Sequence, residues 1–203
     1  MQNGNANRGG AIYNQGNLTI LNCTFKNNTA SIFFNNTPNV GQGGAIFNDA
    51  SSGPALVNIT NSTFTGNSAL GNGGGAIFNN GANSTATVDI QCSTFTNNTC
   101  TIYDGGAIYN SGDSGNATMN INECTFMGNN VPYAGGAIFN SGALNITCTT
   151  FNNNTVSMGE GIGQGGALTN ILGSVNLITI HSQIIAQQQM VDLMVEPLQT
   201  YLG

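Results

Sequence analysis

A six-residue phrase, Gly-Gly-Ala-Ile-Phe-Asn, returns along this chain at nearly constant intervals. It stands at Gly9-Gly10-Ala11-Ile12-Tyr13-Asn14 and, as Gly-Gly-Ala-Ile-(Phe/Tyr)-Asn, begins again at Gly43, Gly74, Gly105 and Gly135. A looser copy is Gly165-Gly166-Ala167-Leu168-Thr169-Asn170, so the starts lie 34, 31, 31, 30 and 30 residues apart. A period of this size is the signature of a stacked repeat in which each unit contacts only its neighbours. The 203 residues are therefore expected to form one solenoid.

A second landmark, Thr-Phe-x-x-Asn, is interleaved with the first. Its copies are Thr24-Phe25…Asn28, Thr63-Phe64…Asn67, Thr94-Phe95…Asn98, Thr125-Phe126…Asn129 and Thr150-Phe151…Asn154. Five residues before each Phe stands Ile20, Ile59, Ile90, Ile121 or Ile146, and seven before it Leu18, Val57, Val88, Met119 or Leu144. Polar residues alternate between them, the pattern of a strand with one buried face. The Phe has the opposite parity, so the chain must bend between Ile and Phe for both to point inward. Length varies only after the Gly-Gly-Ala-Ile-x-Asn strand and after the Phe-x-x-Asn segment, which places loops at corners of a fixed cross-section. Three short strands per coil with corners between them predict an all-β fold. It is a parallel β-helix, a pectin-lyase-like solenoid of about six turns over residues 1–186, with an atypical tail over 187–203.

Coils stacked about 4.8 Å apart place identical residues in ladders. The expected ladders are Ile20/59/90/121/146, Phe25/64/95/126/151, Asn14/48/79/110/140/170 and Asn28/67/98/129/154. The paired glycines mark a corner with a positive φ or a close backbone approach. In the sixth copy the aromatic position becomes Thr169, which suggests that it faces outward. Tyr13, Phe47, Phe78, Tyr109 and Phe139 would then form an outer aromatic stripe. Two readings stay open for it: a partner-facing patch, or a stripe covered by the corner loops.

The net charge is −6, and Arg8 and Lys26 are the only strong cations. Nucleic-acid binding needs clustered Lys and Arg, and a polybasic membrane contact needs the same. No apolar run reaches the ~18 residues of a membrane-spanning helix. Residues 1–8 lack the apolar core of a signal peptide, and Met1 reads as an internal start of a longer protein. Cys23 and Cys124 stand two residues before the Phe, Cys92 and Cys148 three before it, and Cys100 in a loop. Neighbouring coils never carry Cys at one offset, which favours free, buried thiols acting as small hydrophobes. His181 is assigned to a slot that holds Asn or Cys in other coils. Asp49, Asp89, Asp104, Asp113, Glu123 and Glu160 fall at different offsets, whereas hydrolysis of a glycosidic bond needs two convergent carboxylates. No enzyme, cofactor or metal is expected. Asn-x-Ser/Thr triplets such as those at Asn22, Asn61, Asn97 and Asn153 are compatible with surface glycosylation.

The two interleaved motifs resemble the repeat of the chlamydial polymorphic membrane proteins and of adhesin-like surface proteins of methanogenic archaea. The resemblance covers residues 9 to 186. It implies a right-handed parallel β-helix passenger, extracellular and displayed at the cell surface or outer membrane as part of a longer secreted protein. The implied partner is a cell-surface receptor or glycan. It also implies that the motifs themselves serve adhesion: Gly43-Gly44-Ala45-Ile46 with Phe64 and Asn67, Gly74-Gly75-Ala76-Ile77 with Phe95 and Asn98, and Gly105-Gly106-Ala107-Ile108 with Phe126 and Asn129. A polysaccharide-acting enzyme on the same scaffold and a non-binding spacer are the alternatives. The tail admits two readings: an amphipathic capping helix stopped by Pro197, or an out-of-frame translation of a seventh repeat, since Leu193–Thr200 read from the third codon base fits the repeat phrase.

Overall fold

A computed structural model describes residues 1–31, 41–157 and 165–183. The tail over 187–203 and Glu160 lie outside the described residues. Each coil runs through four sheets, which we label A to D in the order the chain visits them from the Gly-Gly corner. Sheet A holds Ile12–Asn14, Ile46–Asp49, Ile77–Asn80, Ile108–Ser111, Ile138–Asn140 and Leu168–Asn170. Sheet B holds Asn17–Leu21, Ala55–Thr60, Thr85–Gln91, Asn116–Asn122, Ala143–Thr147 and Ser174–Ile178. Sheet C holds Thr24–Lys26, Thr63–Thr65, Thr94–Thr96, Thr125–Met127, Thr150–Asn152 and His181–Gln183. Sheet D holds Asn5–Ala6, Thr29–Ala30, Ser68–Ala69, Thr99–Cys100, Asn130–Val131 and Thr155–Val156. All pairings between these strands are parallel and join motif positions in register, Ile46↔Ile77↔Ile108 and Phe64↔Phe95↔Phe126 among them. The fold is a right-handed parallel β-helix of about six turns, the hand that parallel crossovers adopt. Three strands per coil were expected and four are present. The fourth, in sheet D, is two residues long, too short for a period-two pattern to show.

The corners explain why strands of three residues suffice. Between sheets B and C one residue per coil adopts a left-handed backbone: Asn22, Asn61, Cys92, Glu123, Cys148 and Thr179, with φ of 52°, 47°, 48°, 53°, 47° and 51°. Between C and D the same is true of Asn27, Gly66, Asn97, Gly128 and Asn153. One left-handed residue reverses side-chain parity, which brings both Ile and Phe to the interior. Between D and A the glycine pair divides two tasks. The first glycine of the pair, as in Gly43 (64°), Gly74 (68°) and Gly105 (70°), has positive φ. The second has no room for a side chain: a Cβ on Gly44, Gly75 or Gly106 would lie 2.0, 2.1 and 2.1 Å from the carbonyl oxygen of the same glycine one coil on.

The main core is a column of Ile, Val, Leu, Met and Ala from sheets A and B closed by the Phe ladder of sheet C. Phe25, Phe64, Phe95, Phe126 and Phe151 stack with centroids 4.7, 4.7, 4.8 and 5.1 Å apart and rings within 9° of parallel. Offset-stacked rings at this separation are attractive beyond their burial.

Three of the four corners carry a polar ladder. At A–B, Nδ2 of Asn14, Asn48, Asn79, Asn110 and Asn140 each donates to Oδ1 of the next member, at 2.7, 2.8, 2.8, 2.7 and 2.6 Å. At C–D, Asn28, Asn67, Asn98 and Asn129 donate in the same way at 2.9, 2.9, 3.0 and 2.8 Å, ending on Asn154. Asn98 is typical: its Oδ1 accepts from the backbone N–H and the amide of Asn67, and its Nδ2 donates to Phe64 O and Asn129 Oδ1. At B–C the ladder is Cys23/Ser62/Ser93/Cys124/Thr149. Each hydroxyl or thiol donates to the carbonyl two residues earlier, and each accepts, Cys23 excepted, from the backbone N–H of the previous coil. The expected Asn ladders are both present, and the hydroxyl–thiol ladder was not foreseen.

The glycine pair gives a sharp test. Gly75→Ala is expected to cost at least about 3 kcal/mol through backbone collision and strain, lowering the midpoint of thermal unfolding by roughly 6–12 °C. Gly16→Ala, whose added Cβ meets nothing within 4 Å, is expected to stay within about 0.5 kcal/mol of the parent. Circular dichroism melts of the two variants check this, and equal melting temperatures would contradict the stacking account.

Candidate functional site

The motif residues are the frame of the coil. Gly43, Gly44, Ala45, Ile46, Gly74, Gly75, Ala76, Ile77, Gly105, Gly106, Ala107 and Ile108 are buried, as are Phe64, Phe95, Phe126, Asn67, Asn98 and Asn129. Side chains enclosed in this way touch no partner while the coil is folded. The accessible surface is made by the outward rows of the sheets and by residues at the corners.

The aromatic stripe is a continuous stack on the outer side of sheet A, with centroids 5.4, 5.4, 4.8 and 4.7 Å apart from Tyr13 to Phe139. It is not a partner-facing patch over its length. Phe47, Phe78 and Phe139 are 1%, 4% and 6% exposed, Tyr109 is half-buried, and only Tyr13, at 46%, is open. The segment before Gly74 lies against the stack: a Cβ on Gly73 would come 2.5 Å from Tyr109 Cδ2. The Arg8 guanidinium sits 5.3 Å from the centre of the Phe47 ring, within cation–π range. The polar Thr169 in the sixth copy does not mark exposure. It is buried, and its hydroxyl accepts from the Gly165 N–H at 2.9 Å.

The titratable groups are scattered. Tyr13 donates its hydroxyl to Asp49, which also accepts from Gln15, Ser51 and Asn80. Burial pushes the Asp49 carboxyl up, but these donors outweigh it and hold the group below its usual range. Asp104, in the loop before Gly105, has its carboxyl raised to about 6 because burial disfavours the charged form, partly offset by the Ala134 N–H. Burial also raises the neighbouring Tyr109 and Cys100.

All five cysteines are free thiols, but they are not uniformly buried hydrophobes. Cys124 is buried, with its thiol pushed up to about 11 by burial, and with Cys23 it takes the place of a hydroxyl in the B–C ladder. Cys92 and Cys148 are exposed at the left-handed corner, where Cys92 donates to Glu123 Oε2 at 3.3 Å. Cys100 is buried in a sheet D strand, not in a loop. His181 pairs with Thr150, so it occupies the Thr slot beside the Phe position and not the Asn/Cys slot. Among the described residues no three of His, Cys, Asp or Glu gather as a metal site, and no helix is long and apolar enough to cross a membrane.

The outer face of sheet B carries a groove of about 620 Å³ lined by Asn58, Asp89, Asn120 and Asn145 in one row and Thr60, Gln91, Asn122 and Thr147 in the next. Ile59, Ile90 and Ile121 form its floor with their side chains turned to the core. Asn120 Nδ2 donates to Asp89 Oδ1 at 2.6 Å, and Asn145 Nδ2 donates to Asn120 Oδ1 at 2.8 Å. The polar alternates of the sheet B strands were legible as outward residues; that two rows of them enclose a groove was not.

Three segments of the chain, residues 22–49, 61–80 and 93–111, match the family model of the Chlamydia polymorphic membrane protein repeat. The resemblance drawn from the two motifs is thus to the family whose model matches. It is a family of surface and outer-membrane proteins. Each match runs from the B–C corner through sheets C and D into sheet A, and the sheet B strands lie outside all three. No curated protein and no solved structure gives a significant match.

Asp104 supplies a pH test. Its folded-state value lies above the ordinary 3.8, so ionisation opposes folding: the penalty is absent below about pH 4, grows between pH 4 and 6, and is complete above pH 6. Asp104→Asn is expected to melt higher than the parent at pH 7.5, with the gap shrinking as pH falls from 6 towards 4. A gap that is constant across this range contradicts the burial of a charged Asp104.

Proposed function

We propose that this β-helix acts by binding, as an adhesin-like passenger segment displayed at the cell surface within a longer secreted protein. The observation that carries this reading is the division between frame and face. The motif residues within the segments that match the surface-protein repeat are interior, and they hold outward rows of Asn, Thr and Gln that are free of any structural task in the core. A solenoid built this way presents extended, repetitive contact surfaces. The partner is a receptor or glycan on another cell; the acidic, cation-poor chain is unsuited to nucleic acid.

The groove on sheet B favours binding over hydrolysis. It is lined by one carboxylate, Asp89, whereas general acid–base cleavage of a sugar chain uses two facing each other. The frame residues with Phe64, Asn67, Phe95, Asn98, Phe126 and Asn129 serve adhesion by setting the spacing of the surface, not by touching the partner.

Beads coated with the protein test the proposal. They are expected to attach to cultured epithelial cells in a saturable manner, with soluble protein competing. Beads carrying thermally unfolded protein are expected to lose that attachment. Attachment no greater than that of albumin-coated beads would count against the adhesin reading and favour a spacer.

A further inference from the structure

We infer that the sheet B groove binds a neutral, hydroxyl-rich linear glycan lying along the helix axis, with Asp89 and Asn120 at its centre; this rests on the adhesin reading and names its ligand class.

The chemistry of the lining selects the ligand. Its outward groups are side-chain amides, hydroxyls and one carboxylate, which serve a ligand rich in hydroxyl donors and acceptors. An anionic polysaccharide meets no cation there: Arg8 sits over Phe47 and Lys26 is in sheet C, and Asp89 in a chain of net charge −6 repels it. An apolar ligand finds the isoleucine side chains turned away. A protein partner is disfavoured because the groove offers no Trp, Tyr or Arg, the residues that anchor protein–protein interfaces.

The geometry selects a linear polymer. Asn58, Asp89, Asn120 and Asn145 are in register on adjacent coils, as are Thr60, Gln91, Asn122 and Thr147. The groove therefore presents a pair of polar groups, Asn58/Thr60, Asp89/Gln91, Asn120/Asn122 and Asn145/Thr147, every ~4.8 Å along the axis. Asp89, Asn120 and Asn145 are already joined by hydrogen bonds, so their rotamers are fixed before a ligand arrives, which reduces the ordering cost of binding. The bond from Asn120 occupies Asp89 Oδ1 and leaves Oδ2 for a sugar hydroxyl. The groove also lies on the strand of each coil outside the three matched repeat segments, so it can differ while the frame is kept.

Immobilised cellohexaose, chitohexaose and mannohexaose, with polygalacturonate as the acidic comparison, test the inference on the full chain. Binding to at least one neutral hexamer is expected. Asp89→Ala and Asn120→Ala are expected to weaken it at least about tenfold, as for loss of a hydrogen bond to a charged group, while Thr96→Ala on the outer face of sheet C leaves it unchanged. Hydrogen exchange of the parent protein with the bound hexamer gives the same answer without a variant: new protection is expected at residues 58–60, 89–91 and 120–122. The inference is overturned if the hexamers bind but neither the groove variants nor the protection pattern implicates sheet B, or if polygalacturonate binds in preference. It is also overturned if no hexamer binds while protein-coated beads still attach to cells, in which case the adhesin reading survives. Failure of both assays removes both.

Discussion

Buried amide hydrogen bonds between coils are the constraint on which the rest of the structure depends. A chain that turns a corner every few residues leaves backbone carbonyls and N–H groups without sheet partners, and a buried group of this kind left unpaired costs about 1–3 kcal/mol. Here the corners are closed from above and below. Asn98 alone satisfies Asn67 twice, and Phe64 and Asn129 once each. Because every amide in a ladder points the same way along the axis, each bond polarises the next. The Ser/Thr/Cys ladder at the B–C corner does the same task with hydroxyls and thiols. The fourth corner uses glycine, because there the backbones themselves meet.

This constraint explains the sequence economy. With corners and core fixed by Gly, Asn, Ile and Phe, the outward positions carry almost no charge, and 5% of all residues are charged. Asn and Thr supply solubility and potential contact. The motifs that draw attention in the sequence are buried, and the plain-looking alternates of sheet B line a surface groove. The proposed binding function therefore falls to residues between the motifs.

Much of the architecture was legible because the repeat makes one strand pattern visible five or six times. The Ile and Phe ladders, both Asn ladders and the glycine corner follow from aligned spacing. What was not legible has identifiable causes. Sheet D escaped because two residues show no period. The left-handed corners at Cys92, Glu123 and Cys148 use residue types that give no turn signal. The covering of Phe47 by Arg8 and of Tyr109 by the Gly73 segment joins residues of different coils, and Thr169 misled because a local hydrogen bond satisfies it while buried. His181 was misplaced because the sixth coil puts Ser182 where the others have Phe, removing the anchor for alignment. The groove arises from how outward rows curve together, which spacing alone does not show.

Interior Asn ladders hold the coils together, while outward Asn side chains such as those of Asn17, Asn116 and Asn176 stay open to solvent. Side-chain amide hydrogen exchange, read by NMR for each Asn, tests it most directly. Ladder amides of Asn48, Asn67, Asn79, Asn98, Asn110 and Asn129 are expected to exchange only through opening of the coil, far more slowly than those of exposed Asn17, Asn116 and Asn176. Exchange of the ladder amides at the rate of the exposed ones would contradict the account.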